Sequence, residues 1–317
     1  MSQTPQQTTM STTELGLAGG LGAALGGLAV YFALRRGGGA SKVKFSMADQ
    51  KKRFATAKKK NLKRVLDIDS VFEPSKLRGK RVLVVGASRG LGLEVAQAAA
   101  AAGAEAIGTV RSPNKDVSEA GLAQVIENVD VTSDEGMRTL VDSLKSPVDI
   151  CIVVAGYFYG PVERLTDKSL NFKEEWKMID ICGIGPLRVA NALVNNGRLR
   201  EKGGRLAIVT SQAGSIEWRE VQNPHGDNYG HHMSRACTNM MGRLLSFELK
   251  EKGIAVSLLH PGFNRTEMTK KYSEIWDEEG AVEPEVGAKR VLHEVNLMSM
   301  NNTGSFVNCE DGLLIPW

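Results

Sequence analysis

Gly86, Gly90 and Gly92 stand in the run Arg81–Gly92, RVLVVGASRGLG. Without side chains, a backbone can come close to a bound pyrophosphate and offer it main-chain N–H groups. The spacing is G-x-x-x-G-x-G, with Ser88, Arg89 and Leu91 completing the turn. A helix opening at such a turn would add its free N–H groups and positive dipole to an anion site. A tight turn with no ligand is the plainer account of three clustered glycines.

The flanking elements favour the binding account. Arg81–Val85 is a short β-branched run suited to a buried strand. Leu93–Ala102 favours helix and is closed by Gly103. Further strand-like runs follow at Ala106–Val110, Gln124–Val129, Asp149–Val154, Arg205–Thr210, Ile254–His260 and Gly304–Asn308. Helical stretches at Gly92–Ala102, Ser133–Leu144, Phe172–Asn195 and His232–Lys252 separate them. Alternating apolar strands and helices predict an α/β fold, a doubly wound parallel sheet with helices on both faces.

The chain of 317 residues allows one large α/β domain with appendages, and its net charge of +4 is mild but unevenly placed. Cys151, Cys182, Cys237 and Cys309 form no C-x-x-C pair, which argues for a reducing compartment and against a disulfide framework. His225, His231 and His232 lack a helical i, i+4 ligand pair, so no metal is expected.

The N-terminal region divides into three parts. Residues 1–13 are polar and expected to be disordered. Residues 14–36 contain the uncharged run Leu15–Leu34, about the length a bilayer requires, followed by Arg35 and Arg36. They predict a single transmembrane helix, with a cleaved leader and a flexible Gly/Ala linker as the bland alternatives. Residues 37–78 form a basic linker whose lysines and arginines would meet anionic headgroups. The expectation is a single-pass membrane protein with its globular domain, residues 79–317, on the cytosolic, matrix or stromal side. No aromatic residues interleave with the charges, so nucleic acid is not an expected partner.

Residues 80–317 resemble the short-chain dehydrogenase/reductases, and the end TGSFVNCEDGLLIPW resembles the small carbonyl-reductase and C-factor-like members. The resemblance implies a Rossmann-like fold and hydride transfer between a nicotinamide cofactor and a carbonyl or alcohol. It places Gly86, Gly90 and Gly92 in the cofactor motif, although Val85 stands where a threonine is usual. Asp130 and Val131 match the adenine-contacting pair, and Ala155-Gly156 keeps half of the N-N-A-G turn. His260-Pro261-Gly262 with Thr266 is similar to the P-G-x-x-x-T loop that holds the nicotinamide carboxamide. Dimers or tetramers are the oligomers the resemblance suggests.

Charge indicates which cofactor. An acid after the second strand would accept the 2′-hydroxyl of NAD, but Thr109-Val110-Arg111-Ser112 has none. Arg111, seconded by Arg89, can pair with a 2′-phosphate, so NADP is expected. Two surface arginines are the bland alternative.

The catalytic set departs from the family. Ser211 fits the serine that orients the carbonyl. The lysine position holds Arg235, the tyrosine position four residues earlier holds His231, and the asparagine position falls on Cys182. Tyr229 lies two residues off the expected position but could swing in if the helix starts later, so either His231 or Tyr229 would supply the proton. Imidazole is a general acid near neutral pH. It is shorter than phenol, however, and Arg235 would favour its neutral form. The chain therefore reads as a membrane-anchored, NADP(H)-binding oxidoreductase acting on a small carbonyl compound. The alternative is a catalytically weakened or inactive nucleotide-binding scaffold or accessory subunit of a membrane complex.

Overall fold

A computed structural model describes residues 50–113 and 115–317. Seven parallel strands form one sheet: β1 Arg81–Val85, β2 Glu105–Thr109, β3 Gln124–Ile126, β4 Ile150–Val153, β5 Arg205–Val209, β6 Ala255–His260 and β7 Ser305–Asn308. Their spatial order is β3-β2-β1-β4-β5-β6-β7. In register, Val82 of β1 faces Ala106 of β2 and Ile150 of β4. The strand order reverses between β1 and β4, which opens a crevice at their carboxyl ends.

The longer helices are α1 Gln50–Lys60, α2 Gly90–Ala101, α3 Asp134–Ser143, α4 Phe172–Met178, α5 Gly185–Asn195, α6 Tyr229–Glu248 and α7 Pro284–Leu297. Alternate residues of each strand point to opposite faces, so the sheet builds two cores. Leu83, Val85, Cys151 and Ile208 pack with Leu193 and Leu245 on one face. Val82, Val84, Ile152 and Ala207 pack with Val95 and Val291 on the other. Burial on both faces explains why these strands read as continuous apolar runs.

Several element boundaries differ from those expected. β3 stops at Ile126, because Asn128 turns the chain with φ of 60°. The expected helix 172–195 is interrupted by a π turn, Ile179–Ile184, which carries Cys182. α6 begins at Tyr229 rather than His232, after Asn228 in the left-handed region at φ 45°. The stretch expected as a basic linker, residues 37–78, is described from residue 50 onward. There it folds into α1 and shorter helical turns against the domain, with Ala57, Ile68 and Leu77 buried.

The membrane expectations are corrected. Among the described residues no helix is long and apolar enough to cross a membrane. The transmembrane helix expected over residues 14–36, with the membrane contact assigned to residues 15–34, lies outside the described residues, as do the expected disordered residues 1–13. Gly16, Gly19, Gly20, Gly22, Gly26 and Gly27 dilute the apolarity of that run. The single-pass location and the membrane-complex subunit both rested on this segment, and both are withdrawn with it.

Candidate active site

The glycine turn sits at the carboxyl end of β1, where the crevice opens. Gly86 has φ of +93° and Gly90 of +53°, a region that disfavours side chains. A Cβ on Gly86 would stand 2.6 Å from the Ala155 backbone, and one on Gly92 would strike the Gly86 carbonyl. Gly86 therefore brings the glycine turn against the turn after β4, and Gly92 lets α2 fold back onto that glycine turn. Gly86 N–H donates to the Thr109 hydroxyl at 3.2 Å, and Ala87 N–H to the Thr109 carbonyl at 2.9 Å. Arg89 precedes α2 in extended conformation and is exposed, whereas Ser88, Gly90 and Leu91 are half-buried. Thr266 reaches this turn from the loop after β6, with its methyl 3.5 Å from where a Gly90 side chain would begin.

Arg111 is exposed beyond the end of β2, close enough to act on Asp130. Burial opposes ionisation of Asp130. Two hydrogen bonds from Thr132, at 2.6 and 2.8 Å, and the charges of Arg111 and Arg188 nonetheless hold its carboxyl below the usual range. Val131 is buried, and Gly185 leaves room for it. After β4, Ala155 N–H donates to the Val85 carbonyl at 2.9 Å. Gly156 faces the Arg235 guanidinium, with Nη2 3.2 Å from where its Cβ would be.

Arg235 and His231 lie one turn apart on α6, on the same face. Arg235 is buried, its Nη1 reaches the Val209 carbonyl only at 3.5 Å, and its Nε has no hydrogen-bond partner. His231 stacks on Phe158 with ring centroids 4.1 Å apart, and its Nδ1 is buried without a partner. Burial, then the Arg235 charge, pushes the His231 pKa well below the usual imidazole value. The imidazole is therefore neutral at physiological pH.

Ser211 follows β5 and caps the short turn Gln212–Gly214, its Oγ accepting the Ala213 N–H at 3.1 Å. A Cβ on Gly214 would stand 2.6 Å from the Arg235 backbone, so the serine turn lies directly on α6. Tyr229 does not join His231. Two residues along a helix amount to about 200° of rotation. Its hydroxyl instead lies near Gly226 in the preceding loop. Cys182 is engaged on both sides: its Sγ pairs with the Tyr157 backbone at 3.3 Å, and its carbonyl accepts the Thr238 hydroxyl at 2.7 Å.

Three residues around the site had no assigned role in the sequence. Tyr157 donates its hydroxyl to Glu174 at 2.6 Å. Phe158 stacks on His231, and the Lys271 ammonium lies over the Phe158 ring at 3.5 Å. The aromatic run Tyr157-Phe158-Tyr159 directly after Ala155-Gly156 was the available signal. Among the described residues no cluster of side chains could hold a metal ion.

The short chain dehydrogenase family profile matches residues 80–276. A curated relative, the 1-hydroxy-2-glutathionyl-2-methyl-3-butene dehydrogenase of Rhodococcus sp., is 29% identical over 239 residues, covering 74% of this chain and 99% of its own. The C-signal protein of Myxococcus xanthus is 29% identical over 174 residues, covering 54% of this chain and 93% of its own. Among solved structures, the NADPH-bound carbonyl reductase from chicken fatty liver superposes with a TM-score of 0.64 at 23% identity, over 76% of this chain and all of its own.

Proposed function

The chain belongs to the short-chain dehydrogenase family, and on that footing we propose that it is an NADP(H)-dependent oxidoreductase interconverting a small carbonyl compound and its alcohol. Within the family we assign it to the carbonyl-reductase and C-signal-like members, with His231, Arg235 and Cys182 at the usual tyrosine, lysine and asparagine positions. The likenesses to the chicken carbonyl reductase and the Myxococcus protein support the grouping, and the three residue assignments rest on the motif alone.

The observation that carries the cofactor is the cradle at Gly86, where any side chain would meet Ala155. Bare main chain beside a helix N-terminus suits a pyrophosphate. The buried Nε of Arg235 has no hydrogen-bond partner within the protein. Buried donors of this kind are normally satisfied, and Arg235 would hold the ribose hydroxyls of the cofactor. Arg111, in the acid-free run Thr109–Ser112 at the end of β2, suits a 2′-phosphate. NADPH, when bound, supplies the hydride.

The chain's own groups handle the carbonyl oxygen. Ser211 Oγ accepts the Ala213 N–H and still has its own proton to donate. His231, neutral, donates one N–H to the same oxygen and can release that proton as negative charge develops there. Neutral imidazole is a weak proton source, so turnover is slower than a phenol beside an ammonium would give.

Titrating the protein with NADPH and NADH by nicotinamide fluorescence, followed by turnover on simple aldehydes and ketones, tests the proposal. Tighter NADPH binding with carbonyl-dependent oxidation supports it. Tighter NADH binding refutes the cofactor assignment, and binding without turnover on any carbonyl refutes the reaction.

A further inference from the structure

The family match begins at residue 80, yet α1, upstream of it, reaches the serine turn. Arg53 of α1 is buried at 7% exposure. Its Nη2 donates to Gln212 Oε1 at 2.9 Å, and its Nη1 lies 3.8 Å from Glu310 Oε2. The guanidinium also lies over the Trp218 ring, 6.0 Å from its centroid. Gln212 directly follows Ser211 and opens the turn that packs on Arg235.

Glu310 carries the contact to the opposite wall. It accepts a backbone hydrogen bond from Phe263, and Gly262 leaves the space its side chain fills. Phe263 belongs to the loop that brings Thr266 to Gly90. Burial alone would raise the Glu310 pKa, but Arg53 and then Arg290 hold it below the usual range. It is therefore an anion facing two cations.

The placement of α1 is fixed independently. Phe54 packs where a side chain on Gly280 would be, and Gly280 has φ of +72°. Lys51 pairs with Glu278 in the neighbouring helical turn. Arg53 therefore enters the domain from a helix secured on either side of it.

We propose that Arg53 is a positioning residue for the oxidoreductase reaction, one guanidinium fixing the spacing between the Ser211 turn and the Thr266 loop. The assignment rests on the function proposed above. A guanidinium is suited to the task because its planar fork addresses two acceptors at once, which an ammonium does not. A displacement of about 1 Å at a positioned group can cost about 100-fold in rate.

The test uses the full chain with Arg53→Ala, Arg53→Lys and Gln212→Leu, the last leaving the Arg53–Glu310 pair in place. Backbone hydrogen exchange is read at residues 211–215, 262–269 and 86–92, alongside kcat and KM with NADPH and a simple aldehyde. Arg53→Ala is expected to speed exchange in the first two segments but not at 86–92. It should lower kcat about 10- to 100-fold, with the aldehyde KM changing less than threefold and millimolar guanidinium restoring part of kcat. Gln212→Leu should lower kcat with an unchanged melting temperature, so the proposal stays testable even if Arg53→Ala fails to fold. Arg53→Lys should recover less than half of the loss. Exchange unchanged at 211–215, or accelerated throughout the sheet, overturns the proposal, as does full kcat in Gln212→Leu. A wild-type chain with no carbonyl turnover refutes the function instead, and the exchange measurements still decide whether Arg53 couples the two loops.

Discussion

The Arg235 guanidinium faces the backbone of Gly156, with Nη2 3.2 Å from the point where a side chain on that glycine would begin. A buried cation whose Nε has no partner and whose one carbonyl contact is 3.5 Å long is poorly compensated within the protein.

Arg235→Met is therefore expected to weaken NADPH binding about 10- to 100-fold, the equivalent of one or two hydrogen bonds to a charged group. The cofactor-free protein should melt at the same temperature or higher, because an undercompensated charge has been removed. Fluorescence titration and calorimetry check the two halves. A lower melting temperature with unchanged affinity would assign Arg235 to structure alone.

His231→Ala should lower kcat about 10²- to 10⁴-fold, the usual contribution of a positioned proton donor. Burial and the Arg235 charge hold the imidazole well below its usual pKa. Its neutral form therefore persists from high pH down to that lowered value. No change in kcat from its titration is expected between about pH 6 and 8. A rate rising across the ordinary imidazole range would contradict this.

Arg111→Asp should reverse cofactor choice. It puts an acceptor where the 2′-hydroxyl of NADH would lie and repels a 2′-phosphate. NADPH affinity is expected to fall at least about tenfold while NADH affinity rises. Parallel titrations with the two cofactors measure both changes.

Much of this was legible in the chain, for physical reasons. Strands buried on both faces must be apolar throughout, so β1, β5 and β6 announce themselves. Gly92 is dictated by its own turn, where a side chain would meet the Gly86 carbonyl, which keeps that signal local, whereas Gly86 answers to Ala155 from the turn after β4. α7 carried a readable start, Pro284 at its first position, but no sequence expectation covered it. α1 is so basic that it resembles a solvated linker. What folds it onto the domain lies far along the chain, Phe54 meeting Gly280 and Arg53 meeting Gln212, 159 residues away. The neighbours of His231 were equally hidden, because Phe158 and Lys271 come from loops that meet only after folding.

A buried acid pair sets a pH dependence of stability. Glu175 is buried under the start of α6 beside Glu163, in the space that Gly230 leaves. Burial, aided by the adjacent Glu163, pushes its pKa up to about 7. The folded state then binds the proton more tightly than the unfolded chain. The stabilisation is complete below the ordinary glutamate range and is lost as pH rises toward 7. With sharing and partial solvent screening, about 1–2 kcal/mol should disappear between pH 4.5 and 7. Glu175→Gln should flatten that slope, as followed by urea unfolding across the range.

The ring of His231 has one side covered by Phe158, at an interplanar angle of 20°. An imidazole stacked in this way can slide but cannot readily turn over, and its N–H directs a hydrogen bond only within its own plane. An incoming ketone must accordingly offer its oxygen along that plane, which makes its two prochiral faces unequal. Reduction should give one enantiomer of the alcohol in excess, and chiral chromatography of the product from Phe158→Ala should show that excess diminished.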